Sequence, residues 1–267
     1  MTDSESSFML IKSFPIINNA SINDLKVLTE DDIILVDSNI SRLLLFKTKE
    51  RKWKSVQIPG IARFLTVIPN NIVAVTLPSK NKVITVNAKH ERVIKEAIID
   101  DVLCGLTYTN SKIYISCKEK GILVLNLRLE ILDVVTEIRG EMILESGFMK
   151  QLYCVCIHGD TLFRLDTISK THMELNLIKN QNSQRTMSSS DKNHTFPVPN
   201  NSVSVDAKGF IYLSRNSVVQ QISSDFAKQC FIMSFEPDTQ IQLSYDTKTK
   251  TLIICDNSVI YFYRDQA

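Results

Sequence analysis

A chain of 267 residues with 44% hydrophobic content can bury a sizeable core, and its formal charge of +2 falls short of the strongly basic balance of a nucleic-acid footprint. The opening "MTDSESS" is acidic and polar, and no apolar run approaches the roughly 20 residues of a spanning helix, so neither a signal peptide nor a membrane helix is expected. Six cysteines sit in or beside apolar runs. Cys154-x-Cys156 is the one close pair and lacks the second pair that zinc would need, so reduced thiols, no cofactor and a cytoplasmic location are expected.

In chain order, residues 1–7 read as a disordered N-terminus, and Phe8 to Ile17, "FMLIKSFPII", as an apolar run belonging to no repeat. A phrase then returns: a polar turn, an apolar run, a second turn and another apolar run. The central runs open at Ile33, Ile72, Ile113, Leu152, Ile211 and Leu252, with gaps of 39, 41, 39, 59 and 41 residues. Each copy has an apolar face that only a neighbouring copy can bury, so the period predicts a propeller. The expected fold is all-β, a single six-bladed β-propeller over 8–267 with four antiparallel strands per blade. Its blades are expected at about 22–59, 61–99, 101–139, 141–179, 201–236 and 239–264.

The sixth copy stops after its third apolar run, "VIYFYR". An open ring would expose sheet edges, so residues 8–17 are expected to complete that blade, with Met9 to Phe14 as its outer strand and Pro15 near the strand end. "HERVIKEAIIDDV" has some helical spacing, but the repeat register makes it the outer strand of the second blade. Seven glycines are few for this architecture, so turns are expected to use pairs such as Asn70-Asn71, Asn110-Ser111 and Asp256-Asn257. Residues 180–200, polar and rich in Ser and Asn, read as a flexible insertion.

The stretches "NNIVAVTLPSKNKVITVNA" and "VLCGLTYTNSKIYISCKEKGILVLNL", together with Phe196-Pro197, Val203 to Asp206, Gly209 and Ile211 to Ser214, resemble the NHL-type propeller at the C-terminus of tripartite-motif proteins. Asp37 and Asp256 keep an Asp that such repeats place after the second strand; Arg215 replaces it in the fifth copy, and Pro78 stands near it in the second. The resemblance implies a recognition domain for a protein or peptide, with RNA as the alternative ligand. Ubiquitin transfer would need RING and B-box modules that this sequence lacks. Without a coiled coil, a monomer is expected.

Turns joining second and third strands should gather on one face, where they bring Arg42, Lys80, Lys82, Lys118, Lys120, His158 and Arg215 together as expected partner-binding residues. Asp37, Glu119, Asp160 and Asp256 make that face mixed in sign. A third function, a calcium-dependent lactonase of the gluconolactonase kind, would need oxygen ligands from the innermost strands, where Glu145 and Asp206 are the evident acids. No nucleophile elbow, phosphate loop or metalloprotease motif is present.

Overall fold

The computed structural model describes residues 7–17, 20–140, 142–146, 151–156, 161–177, 201–215, 217–237 and 239–266. The expected insertion at 180–200 and His158 lie outside the described residues. What is described is six four-stranded antiparallel sheets, one per repeat. Blade 1 holds β2 (Ile22–Thr29), β3 (Asp32–Asp37), β4 (Arg42–Lys47) and β5 (Lys52–Gln57). Blade 2 holds β6 (Leu65–Ile68), β7 (Ile72–Leu77), β8 (Lys82–Asn87) and β9 (Arg92–Ile98), and blade 3 holds β10 (Leu103–Thr109), β11 (Lys112–Cys117), β12 (Gly121–Leu125) and β13 (Ile131–Val135). In blade 4 the strands are β14 (Met142–Ser146), β15 (Gln151–Cys156), β16 (Thr161–Asp166) and β17 (His172–Asn176). Blade 5 has β18 (Asn201–Val205), β19 (Ile211–Arg215), β20 (Val218–Ile222) and β21 (Gln229–Ser234). Blade 6 combines β22 (Gln242–Asp246), β23 (Thr251–Cys255) and β24 (Val259–Asp265) with β1 (Phe8–Pro15) from the other end of the chain.

First strands touch first strands around a closed circle: β2 meets β6, β6 meets β10, and so on through β14, β18 and β22 back to β2. The arrangement is therefore a six-bladed propeller with the first strand of each blade innermost. The stretch with helical spacing, Arg92–Ile98, is indeed the outer strand of blade 2 and pairs with β8 from Lys82↔Ile98 to Asn87↔Arg92.

Strand periodicity explains why the ring is needed. Along β3, Ile34 and Val36 pack with Leu65, Val73, Val75 and Ile84 of blade 2. Their alternates Ile33 and Leu35 pack with Ile253, Ile260 and Phe262 of blade 6. A single blade thus has two apolar faces, and each core lies between neighbours. Burial falls outward: β18 and β22 are buried throughout, whereas β9 and β17 are largely exposed.

Asparagine supplies much of the turn geometry that glycine would otherwise provide. Asn70 and Asn71 (φ 69° and 57°) and Asn110 and Ser111 (φ 50° and 60°) have the paired positive angles of tight hairpins, and Asn257 (φ 70°) turns between β23 and β24. Gly105 has a different reason to be glycine. A Cβ there would meet the Leu144 nitrogen and the Met142 oxygen at 2.6 Å, because β10 and β14 nearly touch.

Closure runs from Phe8↔Asp265 to Pro15↔Val259, with one register shift between Leu10 and Lys12. Pro15, whose nitrogen cannot donate, ends the outermost strand of the sheet. Phe14 contacts Phe46 of blade 1 at 5.0 Å and Phe262 at 5.8 Å between ring centroids, so the N-terminal strand also staples blade 6 to blade 1. Removing residues through Ile17 is expected to lower the melting temperature by on the order of 10 °C, since a few kcal/mol of aromatic and aliphatic burial is lost; an unchanged melting curve would refute the closure. Gly105→Ala should cost about 1–3 kcal/mol in urea unfolding, as the added methyl forces two blades apart.

Candidate partner-binding face and axial channel

Backbone bonds divide the turns between two faces. In the described residues, connections between blades lie against turns between second and third strands: Ile58 N donates to Ser41 O (3.0 Å), Ile99 N to Asn81 O (2.8 Å), Lys118 N to Val102 O (3.1 Å) and Phe235 N to Ser217 O (2.7 Å). On the opposite face the other two kinds of turn pair, as in Thr48 N to Asp31 O (2.7 Å) and Ala88 N to Asn71 O (2.9 Å). Every described cation expected to bind a partner is therefore at or beside the first face.

These cations are not equally available. Arg42 is tied at 2.8 Å to the fully buried Asp37, whose other oxygen accepts from Ser21 N and Asn39 N, so this pair shapes a turn. Lys82 reaches Glu96 at 3.0 Å across its own sheet. Arg215 is half-buried at the end of β19, and burial lowers its pKa, unlike the exposed turn residue that the sequence leads one to expect. Lys80, Lys118 and Lys120 are exposed. Lys80 Nζ donates to Pro59 O, and Lys120 stands 3.9 Å from Asp100, a long and solvated contact worth little. The turn that carries Lys118 and Lys120 is held by Asp101, which accepts from Glu119 N (3.3 Å) and Lys120 N (2.8 Å).

The innermost strands lack a sheet partner on the channel side, and side chains of the preceding blade cap some of their backbone groups. Tyr245 N donates to Ser204 Oγ (2.9 Å), Leu243 N to Ser202 Oγ (3.1 Å) and Leu65 N to Asp24 Oδ2 (2.9 Å), each spanning 41 residues, one repeat. Lys26 and Glu145 form an ion pair between β2 and β14. Those strands are three blades apart in a ring of six, so the pair crosses the axis. Burial alone would lower the pKa of Lys26, but the Glu145 and Asp24 carboxylates outweigh it and hold the ammonium charged.

The innermost acids are thus spoken for. Glu145 is neutralised by Lys26. Asp206 is buried and accepts from Lys208 N (2.8 Å), Phe210 N (2.9 Å) and the Tyr212 hydroxyl (3.0 Å), as a turn-forming carboxylate does. An ammonium occupies the position where a calcium ion would need free oxygen, and among the described residues no cluster of three His, Cys, Asp or Glu could hold a metal. Sequence reasoning missed Asp24 and Lys26. Asp24 stands in "SINDLKVLT" just before the apolar segment, and the signal was a carboxylate on a strand otherwise buried.

Two other features bear on chemistry. Cys117 and Cys255 are buried and their thiols are pushed up to about 12, Cys154 is raised further by complete burial, and Cys156 is half-buried, so these side chains behave as small apolar groups. On the second face, a cleft of about 90 Å³ between blades 6 and 1 is lined in part by Lys12, Thr29, Asp32, Thr249 and Arg264. Burial lowers the pKa of Lys12, whose ammonium lies 4.5 Å from the Phe262 ring centroid. The cleft is small beside the several hundred Å³ of most ligand pockets.

No family model matches the sequence, and no curated protein matches it. The NHL-type resemblance therefore rests on the residues quoted above. Solved structures do match the fold. A streptogramin B lyase superposes with a TM-score of 0.69 at 11% identity, covering 97% of this chain and 98% of that one. Virginiamycin B lyase from Staphylococcus aureus gives 0.66 at 12%, covering 97% and 99%. The WD40 repeats of RRP9 give 0.69 at 9%, covering 96% and 99%. At such identities the likeness is one of fold. Among the described residues no helix is long and apolar enough to cross a membrane.

Asp24 makes stability depend on pH. Its burial pushes the carboxyl up to about 6 from 3.8, against the pull of Lys26 and the Leu65 N–H. Between those values the folded chain holds a proton that the unfolded chain releases, so this group's contribution to stability falls as pH rises from about 4 to 6. Wild type should therefore lose stability relative to Asp24→Asn as pH rises from 4 to 7, by up to about 3 kcal/mol at about 1.4 kcal/mol per pH unit, on top of a fixed offset for the Leu25 N–H bond and the Lys26 attraction that Asn gives up. Urea unfolding at both pH values measures the difference; a constant offset would refute the assignment.

Proposed function

We propose that this chain is a non-enzymatic platform for a protein or peptide, contacted through the face formed by the turns between second and third strands. The observation that carries the reading is the contrast between the two regions a ligand could use: the innermost acids are consumed by Lys26 and by backbone donors, while Lys80, Lys118 and Lys120 stand exposed on the rim. Turns vary freely without disturbing the blades beneath them, which is how scaffolds of this kind acquire partners. The finer reading is that this is the substrate-recognition domain of a tripartite-motif-type ubiquitin ligase, or a stand-alone relative. It rests on the residues of the resemblance. The lyase neighbours share the fold, and fold does not carry chemistry with it.

Affinity purification from the native cell, with and without ribonuclease, supplies the partner. Lys80→Glu, Lys118→Glu and Lys120→Glu together should weaken its binding by at least about tenfold, roughly 1.4 kcal/mol, with the melting temperature unchanged. Arg42 and Arg215 are left alone, since Arg42 is paired with Asp37 and Arg215 is half-buried. Unchanged affinity would refute the face. Loss of every partner on ribonuclease treatment, with affinity falling steeply in salt, would replace the protein reading with RNA. Lactonase or esterase turnover requiring Glu145 or Asp206 would overturn the non-enzymatic reading.

A further inference from the structure

On the face opposite the proposed partner site, the turns between third and fourth strands occupy the same position in successive blades. In blades 1 and 2 their exposed tips are polar, Lys49 to Arg51 and Lys89 to Glu91. In blade 5 the tip shows Ser224 and Asp225, and its large apolar residue, Phe226, packs inward with its ring centroid 6.5 Å from that of Tyr153. Blades 3 and 4 depart from this: their tips carry Leu127 and Ile168, which are 46% and 69% exposed, and Ile131 beside the first is 54% exposed. A singly exposed apolar residue is ordinary. Two at one repeat position on adjacent blades, where the other copies are polar, are not.

Both tips are held outward by the same device. Asn126 Oδ1 accepts from Arg128 N (2.8 Å) and Glu130 N (3.0 Å), and Asp166 Oδ1 accepts from Ile168 N (2.9 Å) and Ser169 N (2.8 Å). One polar side chain thus closes each turn and leaves the apolar residue outside it. Lys170 Nζ reaches Asp133 of β13 at 2.9 Å, which sets the blade 4 turn against blade 3. Around the two tips the charge is mainly positive: Lys89, Lys112, Arg128, Lys208 and Lys228 are exposed at or beside the turns of this face in blades 2, 3 and 5. The acids of those turns are fewer, Glu91, Glu130 and Asp225, and Glu91 is already paired with Lys54 at 3.4 Å.

We propose that this corner of the second face docks on the surface of an anionic lipid bilayer, with Leu127 and Ile168 entering the interfacial layer and the surrounding cations lying against the headgroups. Charge draws the face to the surface and the apolar tips hold it there, the pairing of two weak signals on which peripheral attachment depends. The shape of the site selects a lipid surface over a protein groove or a nucleic acid. The tips are convex, standing at the ends of turns rather than lining a concavity, and a fluid headgroup layer closes around them without a complementary form. A nucleic acid would engage the cations and leave both apolar side chains in water. Docked in this way, the chain displays its first face away from the bilayer. The inference concerns a different surface from the proposed partner face and stands independently of it.

Co-sedimentation of the intact protein with vesicles of phosphatidylcholine, alone or with about one third phosphatidylserine, tests it. Binding is expected to the anionic vesicles only, falling as salt is raised. Leu127→Ser and Ile168→Ser together should weaken it at least about tenfold, roughly 1.4 kcal/mol, with the melting temperature unchanged because both side chains are exposed. Absence of binding to the anionic vesicles defeats the proposal. Undiminished binding of the serine variant defeats it as well, and points instead to a polyanion such as RNA held by charge alone. Ile168→Trp provides a second readout: its emission, measured above that of the single native Trp53, should be quenched by lipids brominated in their acyl chains, and an unquenched signal rules out insertion. Charge reversal of Lys80, Lys118 and Lys120 on the first face should leave vesicle binding as it was; loss of binding there would put the lipid on the wrong face and end the proposal.

Discussion

The pairing of β1 with β24 is the interaction on which the rest depends. Every blade buries its apolar faces only against two others, so a ring left open would bare two of them at once, Ile33 and Leu35 on one side and Ile253 and Phe262 on the other. Closure by hydrogen bonds within one blade converts a row of six marginal sheets into a cooperative body. Phe14 links the edges of the first and last blades through rings on both, so that the strand that completes a blade also tightens its contact with the next.

Inside the ring the problem is polar. First strands have a sheet neighbour on one side only, and their free backbone groups face the axis. Serine and aspartate side chains reaching from the previous blade answer part of this, and the ammonium of Lys26 balances Glu145 from the far side. The proposed binding face lies instead on the rim, where Lys80, Lys118 and Lys120 are exposed.

The blades were legible in the sequence because a repeat states its own register: six openings of an apolar run, and an extra run at the N-terminus matching a missing one at the C-terminus. The same register settled residues 92–98, where local spacing alone pointed to a helix. Less of the candidate site could be read. That the cations share a face follows from strand order, but whether Arg42 meets Asp37 or Arg215 sinks into the sheet depends on rotamers and depth, which no one-dimensional pattern carries. Asp24 and Lys26 were hidden for a different reason: Lys26 and Glu145 are 119 residues apart, and only the closed ring makes them opposites.

The closure also sets the order in which the molecule can be completed. Phe8 pairs with Asp265, so the first strand of the propeller has no partner until almost the whole propeller has been synthesised. During that interval "FMLIKSFP" is an unpaired strand with apolar side chains, and blades 1 to 5 must accumulate as an open arc with exposed faces at each end. Loop closure between positions so far apart makes the final docking slow relative to formation of any single blade. A bulky domain fused close to Phe8 would therefore burden that last step rather than the earlier ones.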